Sequence, residues 1–385
     1  MIDVFKQFFI LGWISFGGPA AHIGYFQKRF VQELNWISQE EYGKLVALSQ
    51  FLPGPGSSQV CFAIGNLKAG LIGAIAAFIA FTLPSFLIMV AIATTASYFA
   101  DNQWYIAIVN GLKLMAVVIV IDAIYTMSKS FCNNVKAAVL ALLSCLSLVL
   151  LSSVVAQVLV IICAGIIGIL LFRDKSEPTA RVESQSAKST IAWPWLTAFC
   201  VLFIALPLIG QHSTLIDIFN KFYQAGSLVF GGGHVVLPLL QEGVGEQLSQ
   251  GEFLTGYAAA QAVPGPMFTF ATYLGFLLLP QSPIICATIA TLAIFIPGFL
   301  LVLSFQTGWS ALMSKPNLAN AVKGINAAVV GILAAALINP IAINAISSVI
   351  DVILVIAGIA ILRYFKLSIF ILLLFFILTS LIQTI

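Results

Sequence analysis

Charge is what this sequence has least of. Only 8% of its 385 residues are Asp, Glu, Lys or Arg and 61% are hydrophobic, whereas about a quarter of an average soluble domain is charged. So few polar groups could not cover the surface of a water-soluble fold of this length. Period-2 alternation is also missing, which excludes a closed barrel, the one non-helical way to pair every backbone group in lipid. The net charge of +3 is dispersed and forms no basic stripe, so no nucleic-acid partner is expected. Six cysteines (Cys61, Cys132, Cys145, Cys163, Cys200, Cys286) lie in apolar segments without a C-x-x-C pair or a neighbouring His set. They read as small core residues, and neither a metal nor another cofactor is expected. H-E-x-x-H, G-x-S-x-G and paired intramembrane aspartates are absent, which argues against an intramembrane enzyme.

What is present is a series of apolar runs, each long enough for the roughly 20 helical residues that cross a hydrocarbon core. The expected fold is an all-α polytopic membrane protein lying in the bilayer, and one order of landmarks occurs in it twice. Phe16-Gly17-Gly18-Pro19 returns as Phe230-Gly231-Gly232-Gly233, and Gln50-Phe51-Leu52-Pro53-Gly54-Pro55 as Gln261-Ala262-Val263-Pro264-Gly265-Pro266. Leu83-Pro84-Ser85-Phe86 returns as Ile296-Pro297-Gly298-Phe299, and Gly111-Leu112 as Gly324-Ile325. The offsets, 214, 211, 213 and 213 residues, agree to within three. Because the segment Met1 to Trp13 belongs to this repeated pattern, it is read as part of the mature chain rather than a cleaved signal.

The expected division is a first repeat over 1–172, a charged cytoplasmic linker over 173–190, an extra span over 191–210 and a second repeat over 211–385. Lys and Arg mark cytoplasmic loops. In the first half, Lys68, the pair Lys129 and Lys136, and Arg173 with Lys175 alternate with loops lacking positive charge. In the second half, Lys315, Lys323, Arg363 and Lys366 mark the opposite set of equivalent loops, so the repeats are expected to be inverted. The same count puts both ends of each Pro-Gly-Pro segment on one side, the pattern of a re-entrant hairpin.

Pro-Gly-Pro cannot continue a helix without leaving carbonyls unpaired. Paired breaks at matching places in inverted halves point to a transporter's binding site. A helix restarting after the break offers free N–H groups and a positive dipole end, which suits an anion. Gly56, Ser57, Ser58 and Gln59 follow the first break, whereas Met267, Phe268 and Thr269 follow the second and are poorer in donors. The candidate substrate residues are therefore Gln50, Pro53, Gly54, Pro55, Gly56, Ser57, Ser58 and Gln59, together with Gln261, Pro264, Gly265 and Pro266, which are expected to serve more as a gate. The Phe-Gly-Gly segments (Gly17, Gly18, Gly231, Gly232) read equally as cavity-lining turns or packing notches, and His22 and His234 as polar residues beside them. Pro84 and Pro297 read as ordinary kinks. Lys113 and Asp122 are ionisable groups within a span and hence charge or coupling candidates, though nine residues apart they face opposite ways. Asp351 and Lys68 sit near span ends.

These stretches, above all Phe16 to Gly24, Leu45 to Gln59, Phe230 to His234 and Gln261 to Pro266, resemble the chromate ion transporter family in its long two-domain form. The resemblance implies efflux of chromate from the bacterial cytoplasm through the inner membrane, with sulfate as a chemically similar competitor. It also implies a basic residue at the position of Lys113. A sulfate or other oxyanion carrier and an anion channel stay open as alternatives. No motif encodes oligomeric state, and a homodimer stays open.

Overall fold

The computed structural model describes residues 1–16, 18–99, 102–151, 153–172, 191–210, 213–230, 233–309 and 316–383. Gly17, Gly231, Gly232 and the linker over 173–190 thus lie outside the described residues. All regular structure among the described residues is helical. In the first half the helices are α1 (Ile2–Ile14), α2 (Gly18–Phe26), α3 (Gln39–Phe51), α4 (Gly56–Phe99), α5 (Gln103–Phe131), α6 (Val135–Leu150) and α7 (Val154–Leu171). Then come α8 (Trp193–Ile209), α9 (Thr214–Leu228), α10 (Val236–Val244), α11 (Gln250–Ala262), α12 (Phe270–Leu278) and α13 (Pro283–Phe305). The chain finishes with α14 (Pro316–Ala336), α15 (Val349–Arg363) and α16 (Ile369–Ile382).

Among the described residues, four helical segments are long and apolar enough to cross a membrane: Gly56–Ala96, Gln103–Phe131, Pro283–Phe305 and Asn317–Ala345. The first is not one rod. Ala69 (φ −149°, ψ 29°) and Gly70 (φ 63°, ψ −162°) leave helical geometry, so α4 consists of a short arm over 56–68 and a long arm over 71–99. Side chains exposed at helical spacing, such as Leu142, Leu146, Leu150 on α6 and Val155, Leu159, Ile162, Ile166 on α7, are apolar, as a surface turned to lipid requires. The cysteines divide: Cys61 and Cys286 are buried as expected, whereas Cys163 and Cys200 sit on this exposed apolar surface. Their small, weakly polar thiols are as compatible with lipid as with a core.

Two short helices start with the same device. Ser38 caps α3 in a capping box with Glu41, and Ser249 caps α11 in a capping box with Glu252. Each helix has 13 residues, which at 1.5 Å per residue gives about 20 Å, well short of a hydrocarbon core of about 30 Å. Each ends at an extended residue, Leu52 or Val263, where the Pro-Gly-Pro break begins. The helical segments that follow the breaks, 56–68 and Met267–Leu278, are equally short.

Packing of the long helices is set by glycines. A methyl group on Gly12 of α1 would sit 2.8 Å from the Phe81 carbonyl and 3.0 Å from Pro84 Cγ on α4. On α9, Gly226 meets the Ile294 carbonyl and Pro297 in the same way. Pro84 and Pro297, expected as plain kinks, are therefore the surfaces on which α1 and α9 lie. The later helices exchange partners between halves. Gly111 of α5 rests on the Phe376 backbone of α16, and Ser380 donates to the Ala107 carbonyl at 2.6 Å. Gly324 of α14 rests on Ala164 and Gly168 of α7. Phe62 of α4 stacks on Phe299 of α13 with ring centroids 4.3 Å apart. Helix α8 packs beside α9, where Tyr223 and Gln224 donate to the Phe199 and Phe203 carbonyls.

Four cations of the later helices, Lys129, Lys136, Lys323 and Arg363, share one end. Arg363, at the end of α15, pairs with Asp122 of α5 at 2.5 Å and lies over the Tyr125 ring, which also carries Lys129. Lys136 donates to the Leu171 carbonyl at 3.1 Å, and Lys136 and Lys323 line one cavity of 780 Å³ together with Asn133, Asn134 and Asn326. The C-terminal end of α5 and the N-terminal third of α14 thus share this end, although the two helices are matched by the Gly111/Gly324 landmark.

Candidate functional site

The two breaks are tied to each other's halves by backbone bonds. Gly54, at φ 121°, donates its N–H to the Val229 carbonyl at 2.7 Å, and Gly265, at φ 94°, donates to the Ser15 carbonyl at 2.9 Å. Ser15 and Val229 each directly precede a Phe-Gly-Gly segment. Each break therefore closes on the residue just before the Phe-Gly-Gly segment of the opposite half. Glycine is needed at both places because the positive φ strains any side chain, and because neighbours crowd in. A methyl on Gly54 would lie 3.0 Å from Gly298 Cα, and one on Gly265 would lie 2.9 Å from Ser85 Oγ.

After the first break the helix restarts at Gly56 with three polar side chains, none more than 4% exposed. Ser57 Oγ lies 3.1 Å from His22 Nδ1, and His22 Nε2 lies 3.1 Å from the Ser15 carbonyl. A carbonyl only accepts, so Nε2 carries the proton and, in the neutral ring, Ser57 donates to Nδ1. Ser57 is thereby withdrawn from the set of donors free to face an anion. Gln59 is also committed, since its Nε2 donates to the carbonyls of Pro53 at 2.9 Å and Gly298 at 3.2 Å. What is left at the restart is the Ser58 hydroxyl, buried without a partner, and the first N–H groups of the helix, which have no intrahelical acceptor. The Ser15 hydroxyl, a residue that sequence reasoning passed over, is buried and unpartnered beside them.

The second break is built differently. His234 Nδ1 lies 2.8 Å from the Tyr257 hydroxyl and 3.3 Å from Gln261 Nε2, both of which donate, so the ring proton is on Nε2. Gln261 also reaches Met267 Sδ, and Pro266 accepts from both the backbone and the side chain of Thr269. Pro264, Gly265 and Pro266 are buried. Tyr257 was not anticipated. It stands one helical turn before Gln261 on α11, a spacing that puts both on one face.

The other expected residues lie apart from this cluster. Gln50 is exposed on the last turn of α3, and Gly18 opens α2 at φ 77° with free space around it. Pro53 and Pro55 flank Gly54 as expected. Lys113 is half-buried, 3.4 Å from Asn110 Oδ1, and lies against Gly251 at the start of α11. Asp122 is part of the Arg363 pair. Asp351 is held by the backbone N–H groups of Ser347 and Ser348 in a capping box, and Lys68 lies over the Trp36 ring.

The decisive comparison follows these matched segments: a sequence profile described as chromate transporter fits residues 2–169 and again 216–381. The chain belongs to the chromate transporter family. It is 30% identical over 337 residues to the probable chromate transport protein of Synechococcus elongatus, covering 86% of this chain and 82% of that one. It is 28% identical over 372 residues to the chromate transport protein of Cupriavidus metallidurans, covering 93% and 87%. The corresponding protein of Pseudomonas aeruginosa is 27% identical over 342 residues, covering 88% and 80%. No solved structure matches the chain. As a member of a transporter family with an all-helical, multi-pass architecture, it is a membrane transporter of the chromate type.

Proposed function

We propose that the chain exports a tetrahedral oxyanion, chromate or its sulfate analogue, from the bacterial cytoplasm through the inner membrane. The crossed bonds from Gly54 to Val229 and from Gly265 to Ser15 carry this reading. They put the breaks of the two halves at one junction, where unpaired N–H groups, Ser58 and Ser15 supply neutral donors to an anion. The cations gathered at one end support inverted repeats, with that end cytoplasmic. The 780 Å³ cavity with Lys136 and Lys323 opens at this end, where a basic vestibule draws anions from the cytoplasm.

Direction follows from charge. Moving one charge through about 100 mV is worth about 2.3 kcal/mol, so a dianion gains roughly 4.6 kcal/mol on leaving a cell that is negative inside. Export driven by the potential, or by exchange for another anion, needs no bank of buried carboxylates. Asp122 fits that economy, since its charge is already matched by Arg363. In everted vesicles a lumen-positive potential should accelerate labelled chromate accumulation, and Asp122→Asn should keep that response. Accumulation that ignores the potential, follows a proton gradient and is lost in Asp122→Asn would overturn the reading. Competition by sulfate in the same vesicles ranks the two substrates.

A further inference from the structure

Between α5 and α15 a cleft of 260 Å³ opens at the molecular surface, and its two ends differ in chemistry. Val118, Ile121, Asp122 and Tyr125 line it from α5, at the three-and-four spacing of one helix face, and Ile359, Leu362 and Arg363 line it from α15. At the inner end the two helices close on each other, where a methyl on Gly358 would lie 2.9 Å from Val118 Cγ2. The outer end lies about 10 Å further along α5, from the helical rise. There Arg363 Cζ is 3.8 Å and Lys129 Nζ 4.4 Å from the centre of the Tyr125 ring, so two cations share one ring. Asp122, 2.5 Å from Arg363 Nε, balances one of them. Lys129 makes no ion pair among the described residues, and the exposed Lys366 adds a third cation just past Arg363. Like charges held this close repel, and an anion between them removes the cost.

We propose that this cleft holds an anionic phospholipid, with its phosphate at the Lys129, Arg363 and Lys366 end and an acyl chain along Val118, Ile121, Ile359 and Leu362. Basic pockets between membrane helices are suited to lipid headgroups. Arg363 spends Nε on Asp122 and Nη2 on the Asp122 carbonyl and Thr126, which leaves Nη1 for a phosphate oxygen. The apolar walls decide between a lipid and a free oxyanion. A free dianion gains nothing from four aliphatic side chains, whereas an amphiphile is served by both ends at once. Tyr364, 81% exposed beside Arg363, is of a residue type that settles at headgroup level. A lipid in this place joins α5 of the first half to α15 of the second. Sequence patterns do not reveal the site, because Lys129 and Arg363 meet only when those two helices pack.

The test uses the purified full-length protein in detergent, with phosphatidylglycerol as the probe. Native mass spectrometry should find phosphatidylglycerol retained well above phosphatidylcholine, and the thermal midpoint should rise more with the anionic lipid. Glycerophosphoglycerol, the same headgroup without chains, should not displace it, and neither should inorganic phosphate. Lys129→Gln combined with Lys366→Gln changes two exposed side chains and should lower retention at least about fivefold, the factor one basic residue near a lipid surface is worth. The same charge loss from Lys28→Gln combined with Lys44→Gln, both exposed and outside α5 and α15, should leave retention unchanged. Equal retention of the two lipids overturns the proposal. Displacement by the free headgroup or by phosphate also overturns it, because the cleft would then be a soluble-anion site. So does an equal effect, or no effect, from the two pairs of substitutions, since diffuse charge would then account for binding. The lipid comparison and the headgroup competition need no variant, so they decide even where a substitution impairs folding.

Discussion

The two Pro-Gly-Pro breaks have one backbone and two chemistries. Both glycines adopt positive φ, both donate to the residue before the Phe-Gly-Gly segment of the other half, and both follow a 13-residue helix begun by a Ser-Glu capping box. Beyond the break, Ser57, Ser58 and Gln59 face Phe268, Thr269 and Phe270 as their counterparts at the 211-residue offset. Likewise His22 is bonded to a serine on the restarting helix, whereas His234 is bonded to Tyr257 on the helix before the break. Backbone geometry is thus what both halves share, whereas an unpartnered side-chain hydroxyl on the restarting segment is found, among the described residues, only in the first. In the proposed function the first break is the anion's seat and the second its closure.

The largest effect is expected where the shared backbone is broken. Gly54→Ala places a side chain at φ 121° against Gly298, for a strain on the order of 1–3 kcal/mol. Chromate uptake into everted vesicles should fall at least tenfold, with a lower thermal midpoint in detergent. Gly70→Ala, where φ is 63° and space is open, supplies the comparison and should cost stability but little transport. Equal losses from both would mean that strain alone, and not the junction, matters.

A smaller effect should separate two adjacent serines. Ser58→Ala removes a free donor and should raise the apparent KM for chromate several-fold. Ser57→Ala leaves His22 Nδ1 unsatisfied and should lower stability by about 1–3 kcal/mol, with a weaker effect on KM. If Ser57→Ala raises KM more than Ser58→Ala, the assignment of the Ser57 proton to His22 is wrong.

The smallest is at the second break. Tyr257→Phe removes one hydrogen bond to His234, worth about 0.5–1.5 kcal/mol, and should leave KM unchanged. A KM change as large as that of Ser58→Ala would erase the contrast between seat and closure.

Much of this was legible before any coordinates. The all-helical class followed from hydropathy, and both breaks and their glycines from residues that cannot continue a helix. The glycine contacts on Pro84 and Pro297 had a signal too, because Gly12 and Gly226 keep the 214-residue offset, yet a single proline reads as a kink until its neighbour is known. Ser57 shows a second kind of limit. Residue type says that a donor exists, and only packing says that His22 accepts from it. Asp122 shows a third: its depth in a hydrophobic run suggested a lone carboxylate, while Arg363, read only as a marker of loop orientation, lies 241 residues away in sequence and directly beside it.

The crossed backbone bonds also bear on how the chain is made. Gly54 awaits a carbonyl 175 residues downstream, at Val229, and the Ser15 carbonyl awaits Gly265, 250 residues later. Ribosomes add about 5–20 residues per second, so on the order of ten seconds or more separates the synthesis of the first break from the arrival of its partner. During that interval the Gly54 N–H lacks the carbonyl it bonds in the finished fold, and bare lipid cannot serve it. That one donor of the first break therefore needs water or insertion machinery until Val229 is made.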